Sequence, residues 1–210
     1  MAGARGGRFG VAGTSGPGVT IQEIALAASL ASNLPEGMEP NLTADHHFDP
    51  PNFTWPFGTH ICVAEVDTQT GRVGIRRYVA VDDCGPIVNP AIVEGQLHGG
   101  IAQGVGQALY EEATYDAAGN PTTATLAEYC FPTAMDLPNF TLDQTVTPSP
   151  TNPMGVKGIG ESGAIGSSPA VVNAVIDALA HRGVTHLDMP VTPQQVWRAL
   201  SEAGNTASTR

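Results

Sequence analysis

The stretch Lys157-Gly158-Ile159-Gly160-Glu161-Ser162-Gly163-Ala164-Ile165-Gly166 sets a single carboxylate among four glycines. Glycine reaches backbone conformations closed to other residues and lets a ligand come close to the main chain. Apart from Lys157 the neighbourhood carries no other charge. Those surroundings suit a carboxylate that works as a base, so Glu161 is the candidate catalytic residue. On spacing alone, a glycine-rich loop with one glutamate is more often a surface turn.

Two other chemistries share these residues. Gly158, Gly160 and Gly163 keep the G-x-G-x-x-G spacing of a phosphate-binding loop, with a helix soon after. A dinucleotide fold places that loop after the first strand of a βαβ unit, with an acidic residue further on. Here it follows a proline run, and few residues remain behind it. A nucleophile elbow reads G-x-S-x-G, and Gly160-Glu161-Ser162-Gly163-Ala164 lacks the last glycine. His181 and His186 follow at no particular spacing. Elsewhere His46 and His47 are adjacent, His98 stands alone, and Asp82-Asp83 open a turn cluster that runs to Pro86. Such residues are surface, core or turn groups more often than metal ligands.

The elements that must position Glu161 are legible on both sides. Before it lies the rigid run Pro148-Ser149-Pro150-Thr151-Asn152-Pro153. After it, Ser167 or Ser168 caps and Pro169 opens an apolar helix through Ala180, with Gly183 past its end. Further upstream, residues 93–112 read as a helix carrying Gly95, Gly99, Gly100, Gly104 and Gly106. Each costs about 1 kcal/mol relative to alanine. Gly100, Gly104 and Ala108 share one face, and a face that smooth admits either a second backbone or a bulky cofactor.

The remaining chain predicts a hairpin from Ile61 to Val66 and Val73 to Val81, turning at Asp67 to Gly71. A second strand pair is expected at 113–115 and 122–129, and a further strand at 141–146. Short helices are expected at 20–33, before Pro35, and from Thr192 or Pro193 through Leu200. Residues 1–18 read as a flexible glycine-rich tail and 201–210 as a frayed one, which leaves 19–200 as a single domain. Phe48, Phe53, Trp55 and Phe57 lie in the proline-rich loop over 36–58, better suited to packing on a sheet or partner chain than to a ligand box.

The 210 residues are 41% hydrophobic and only 14% charged, with a net charge of −11. That is a folded, turn-rich composition, and it argues against nucleic acid, whose phosphates require clustered Lys and Arg. It argues equally against an anionic membrane surface. Cys62, Cys84 and Cys130 form no C-x-x-C pair and fit reduced thiols in the cytoplasm. No apolar run approaches the length of a bilayer span, and no secretory signal is expected.

Three blocks in order carry a family resemblance: DPPNFTWPFGTHICVAEVD with YVAVDDCGPIVNP, then GQLHGGIAQGVGQALYEE, then VKGIGESGAIGSSPAVVNAVIDAL. They resemble the xanthine oxidase family of molybdenum hydroxylases, and within it large subunits of the aerobic carbon monoxide dehydrogenase type. The likeness runs from about Gly18 to Leu200. It implies an α+β fold, a mixed sheet with packed helices, forming part of a molybdopterin-binding domain. It implies that Glu161 lies beside molybdenum as the proton acceptor, outside the direct ligand set, with Ile159 and Gly160 as the peptide wall facing the cofactor. The implied cofactor is molybdopterin cytosine dinucleotide with molybdenum. The implied reaction oxidises carbon monoxide, or a related aldehyde or N-heterocycle, with oxygen taken from water. Electrons then leave through an iron–sulfur small subunit and an FAD-carrying medium subunit. Members of the family are several times longer, so most pterin-binding segments belong to a missing N-terminal part of the large subunit. The loop whose cysteine holds copper in carbon monoxide oxidisers has no counterpart among Cys62, Cys84 and Cys130. The expected location is cytoplasmic, with peripheral association at the inner face of the membrane. The competing class is a non-catalytic fragment, or one chain of a split enzyme, inactive alone and exposing apolar surface meant for the absent half.

Overall fold

Residues 2–5, 7–11, 13, 16–31 and 33–208 are described by the computed structural model. They group into two units, 1–49 and 50–210, rather than one domain over 19–200. In the first unit, β1 (Ala2–Arg5) and β2 (Arg8–Val11) pair antiparallel, and β3 (Val19–Thr20) adds to β2. The expected tail is therefore a hairpin where it is described. Gly7 has φ +75°, the left-handed conformation that a tight hairpin turn requires, and a Gly-Gly pair signals such a turn. Met1, Gly6, Ala12, Thr14 and Ser15 lie outside the described residues. Helix α1 (Ile21–Ser29) opens with a capping box: the Glu23 N–H donates to Thr20 Oγ1, and the Thr20 N–H donates to Glu23 Oε2. It ends short of Asn33 because Ala31 and Asn33 both take positive φ.

The second unit is built on β4 (Phe57–Val66) and β5 (Val73–Asp83), an antiparallel pair joined through Asp67, whose carboxylate accepts from Gln69 and Thr70. After β5 comes α2 (Pro90–Leu109), which starts three residues before the expected Val93. Asn89 caps it by accepting from the Ile92 N–H, and Pro90 takes the first helical position. The chain returns as β6 (Phe140–Gln144), parallel to β5, so the sheet order is β4-β5-β6. Two helices close the unit, α3 (Ser162–Ala180) and α4 (Pro193–Ser208). The core is made by Tyr78 of β5, Ile101 and Val105 of α2, Val171, Val175 and Leu179 of α3, and Val196 of α4, all fully or almost fully buried.

Four expectations fail here for identifiable reasons. The second strand pair is reduced to one bridge, Tyr115 to Pro121. Thr125-Leu126-Ala127-Glu128 instead makes a helical turn: the Thr125 N–H donates to Glu128 and the Tyr129 N–H donates to Thr125 O. That is the T-x-x-E capping signature overriding β-favouring composition. Helix α4 continues to Ser208, so the described part of 201–210 is helical; residues 209 and 210 lie outside it. Helix α3 begins at Ser162 rather than after a serine cap, with Pro169 in its interior. It is also 19 residues long and apolar enough to meet the length of a bilayer span, against expectation. Its apolarity serves the core, where Val171, Val175 and Leu179 are buried against the sheet and α2.

The early start of α3 follows from its contact with α2. A Cβ on Gly100 would fall 3.0 Å from Ala164 N and from Gly163 Cα, and one on Gly163 would fall 2.8 Å from Leu97 O and 2.9 Å from Ile101 N. A Cβ on Gly104 would overlap Ser167 Oγ. The smooth face of α2 thus receives a second backbone. Contacts of this kind override the local cap signal, and Ser168 Oγ now lies 3.4 Å from Gly104 O and from Ala164 O. Gly95 and Gly99, on the exposed side of α2, meet nothing within 4 Å. Opposite outcomes follow in urea unfolding of this chain. Gly104→Val should lose about 1–3 kcal/mol through overpacking, whereas Gly99→Ala should gain up to about 1 kcal/mol of helix propensity.

Candidate active-site segment

Lys157 fastens the Glu161 segment to the sheet. Its N–H donates to Cys84 O at 2.8 Å, and its ammonium donates to Asp83 Oδ1 at 2.9 Å while lying 4.5 Å from the centre of the Phe57 ring. Asp83, at the end of β5, is fully buried. It also accepts from Thr145 Oγ1 at 2.9 Å and from the N–H groups of Gly85 and Thr147. Burial alone would raise its pKa, but Lys157 and these donors outweigh burial and hold the carboxyl well below its usual range. Upstream, Asn152 grips Val156 through both its N–H and its carbonyl, so the proline run forms a stiff base for the clamp.

From that clamp the chain reaches Ile159, Gly160 and Glu161 in one turn. Ile159 is half-buried and lines a cleft of about 340 Å³ with Asp82, Cys84, Ile87, Leu97 and Leu142. The Ser162 N–H donates to Ile159 O at 3.2 Å, and the Ile165 N–H donates to Glu161 O at 3.0 Å. Glu161 occupies the cap position of α3 with φ −105° and ψ −12°, and its side chain makes no capping hydrogen bond. The residue is exposed. Its main chain is held by two elements while its side chain is exposed.

Beside the turn sits a buried polar group that spacing did not reveal. His60 Nδ1 lies 2.8 Å from Tyr78 Oη and His60 Nε2 lies 3.1 Å from Asp82 Oδ2, with the His60 and Asp82 side chains almost wholly buried. Burial pushes the Tyr78 phenol above its usual pKa, so it keeps its proton. A signal for His60 existed: the inward set of β4 is His60, Cys62, Ala64 and Val66, every second residue. The apolar alternation at Ile61 and Val63 marks the opposite, exposed face. Asp82 and Asp83 are not a turn pair but the buried end of β5.

The rival chemistries lose their geometry. Gly158, Gly160 and Gly163 follow a loop, not a strand, so no βα turn cradles a phosphate there. Ser162 shares a small cavity of about 110 Å³ with His60 and Asp82, but both ring nitrogens of His60 are already engaged. No nitrogen remains to take a proton from Ser162. His186 pairs with Asp188 on the surface. Phe53 and Trp55 meet at a tilt with ring centres 6.2 Å apart yet stay 78% and 74% exposed, so the aromatic loop finds no sheet to cover it among the described residues of its unit.

The buried ion pair generates a prediction with a definite sign. Asp83 has a lowered folded pKa, so the stability it contributes is complete above the unfolded value of about 3.9 and is lost as pH falls below it. Lys157→Met should cost about 3–5 kcal/mol by leaving a buried charge unpaired, and adding Asp83→Asn should restore much of it. Acid titration of the wild-type chain and the double variant checks this. The double variant should lose less stability below pH 4.

Comparison with known proteins bears on the family and the fold. The carbon monoxide dehydrogenase large chain of Hydrogenophaga pseudoflava is 48% identical over 195 residues, covering 93% of this chain and 24% of the relative. The structure of reconstituted CO dehydrogenase from Oligotropha carboxidovorans superposes with a TM-score of 0.88 at 38% identity, covering 98% of this chain and 25% of that one. Quinoline 2-oxidoreductase from Pseudomonas putida 86 superposes with a TM-score of 0.87 at 40% identity, covering 96% and 26%. The chain therefore spans about a quarter of the length of these relatives. The expected α+β architecture, a mixed sheet with packed helices, holds. The model of the molybdopterin cofactor-binding domain matches residues 2–138, which end before Ile159. On this evidence the chain belongs to the molybdopterin cofactor-binding domain family of molybdenum hydroxylases.

Proposed function

We propose that this chain forms the C-terminal part of a molybdenum hydroxylase large subunit and that Glu161 is its proton-accepting residue. The observation that carries the proposal is an anchored main chain presenting an untethered carboxylate at an open glycine-rich edge. A Cβ on Gly158 would meet nothing within 4 Å, and one on Gly160 would meet only Gln96 Oε1 at 3.5 Å. Gly95 and Gly99 leave the main chain of α2 equally bare on the side that carries Gln96. Bare backbone on two neighbouring elements fits a large flat group approaching edge-on, so the residues present suit a pterin. Ile159 and Gly160 would wall it, and Glu161 would sit beside the metal without ligating it. When bound, the cofactor supplies the redox chemistry and takes up the electron pair removed from the substrate. This chain's share is to hold the Glu161 carboxylate in place, accept a proton on it, and help exclude water.

The finer assignments rest on the resemblance. The cytosine dinucleotide form of molybdopterin is proposed, with an iron–sulfur small subunit, an FAD medium subunit and the remaining three quarters of the large subunit as partners. The substrate proposed is carbon monoxide, favoured by the 48% identity to a carbon monoxide dehydrogenase large chain. An aldehyde or N-heterocycle is the alternative, since a quinoline oxidoreductase superposes equally well. Copper, where the complete enzyme uses it, would be held outside this chain. Cys62, Cys84 and Cys130 are free thiols, in keeping with a cytoplasmic location. Association with the inner membrane face gains no support, because the apolar helix α3 is packed into the core.

A second reading has its own observation. Phe53, Trp55, Phe57, Ile61 and Val63 are exposed within the second unit, the surface expected of a piece that completes a larger subunit. On this reading the chain alone is inactive. Elemental analysis of the purified 210-residue chain should find no bound molybdenum, and a stoichiometric amount would contradict it. In the complete subunit with its partners, Glu161→Gln should keep the cofactor and abolish turnover. A variant with near-normal rate would remove Glu161 from the mechanism.

A further inference from the structure

We propose that His60 is a positioning residue for Glu161, acting through Gly166. The inference rests on the catalytic reading of Glu161 and adds a residue to it. A Cβ built on Gly166 would fall 2.6 Å from His60 Nδ1 and 2.7 Å from both Cε1 and Cγ. Three consecutive ring atoms at nearly equal distance mean that the first turn of α3 lies on the face of the imidazole. Only glycine permits that approach.

The imidazole itself cannot turn. Its Nε2 lies 3.1 Å from Asp82 Oδ2 and its Nδ1 lies 2.8 Å from the Tyr78 hydroxyl, so both ring nitrogens are held. Tyr78 is fully buried, and its ring meets His60 edge-on with centroids 5.7 Å apart. Asp82 is held in turn by the close approach of Gly58, where a Cβ would fall 2.9 Å from Asp82 Cγ. The ring is thus locked from two sides and offers one fixed flat surface. Gly163 meets the backbone of α2 and Gly166 meets this ring, so the turn that begins at Glu161 is wedged between two rigid walls. Without the ring, only the α2 wall and the Lys157 clamp remain, and α3 can roll at its start. A roll there moves the cap residue directly.

Amide hydrogen exchange in the 210-residue chain tests this. The Ile165 amide, bonded to Glu161 O, reports the first turn, and the amides of Val175 and Leu179 report the rest of α3. His60→Phe keeps a ring but removes both hydrogen bonds. His60→Gln keeps reach toward Asp82. Gly166→Ala pushes on the ring with every hydrogen-bonding group present, and so covers the case in which His60→Phe fails to fold. The Ile165 amide should exchange on the order of tenfold faster in Gly166→Ala and His60→Phe, with Val175 and Leu179 unchanged and with partial recovery in His60→Gln. Unchanged exchange at Ile165, or an equal rise at all three amides, overturns the proposal. In the complete subunit the same variants should lower kcat while KM and molybdenum content stay unchanged; loss of molybdenum in step with rate contradicts a positioning role. Normal turnover in Glu161→Gln would instead defeat the catalytic reading and leave the exchange result standing.

Discussion

The close approach of two helix backbones governs the rest of the second unit. Gly100 and Gly104 of α2 receive Gly163, Ala164 and Ser167 of α3 at distances that leave no room for a Cβ. Dispersion and burial accumulate along such a seam, and they favour α3 beginning at Ser162 although Pro169 is ill suited to a helix interior. Where α3 begins decides where Glu161 stands. The Asp83–Lys157 pair then fixes the chain entering that turn, four residues before the glutamate. Seam and clamp come from parts of the sequence more than fifty residues apart, and they meet only in the folded unit.

Glycine has two opposite uses in this chain. At Gly100, Gly104, Gly163 and Gly166 it admits protein. At Gly95, Gly99, Gly158 and Gly160 it faces almost nothing. A helix that carries bare glycines loses stability with no compensating contact inside the chain. The outward face of β4 shows the same pattern, with Ile61 and Val63 exposed. On the proposed reading the other side of this wall is supplied by the rest of the subunit, in keeping with a chain that spans about a quarter of its relatives.

The elements that rest on local rules were legible in the sequence. The short helix after Thr20, the hairpin around Asp67 and the apolar stripe of α3 all follow from short-range chemistry. Elements set by distant contacts were not. The start of α3 depends on α2, and the parallel pairing of β6 depends on a crossover. Asp82 and Asp83 looked like turn residues because Gly85 and Pro86 follow them, yet their partners are His60, Lys157 and Thr145. Within the candidate site, Ile159, Gly160 and Glu161 are adjacent in sequence and needed only a turn to come together. His60 needed the period of β4 to be counted from His60, Cys62 and Ala64 rather than from Ile61 and Val63. The catalytic assignment itself came from resemblance in long blocks, since the spacing of one glutamate among glycines is shared by ordinary turns.

On the proposed reading, an anchored backbone aims the Glu161 side chain at a metal centre built mostly by the rest of the large subunit. A structure of the assembled, cofactor-loaded subunit measures this directly. It should show the carboxylate directed at the molybdenum, with Ile159 and Gly160 against the pterin. A carboxylate turned into bulk solvent, with the cofactor bound on another face, would contradict it.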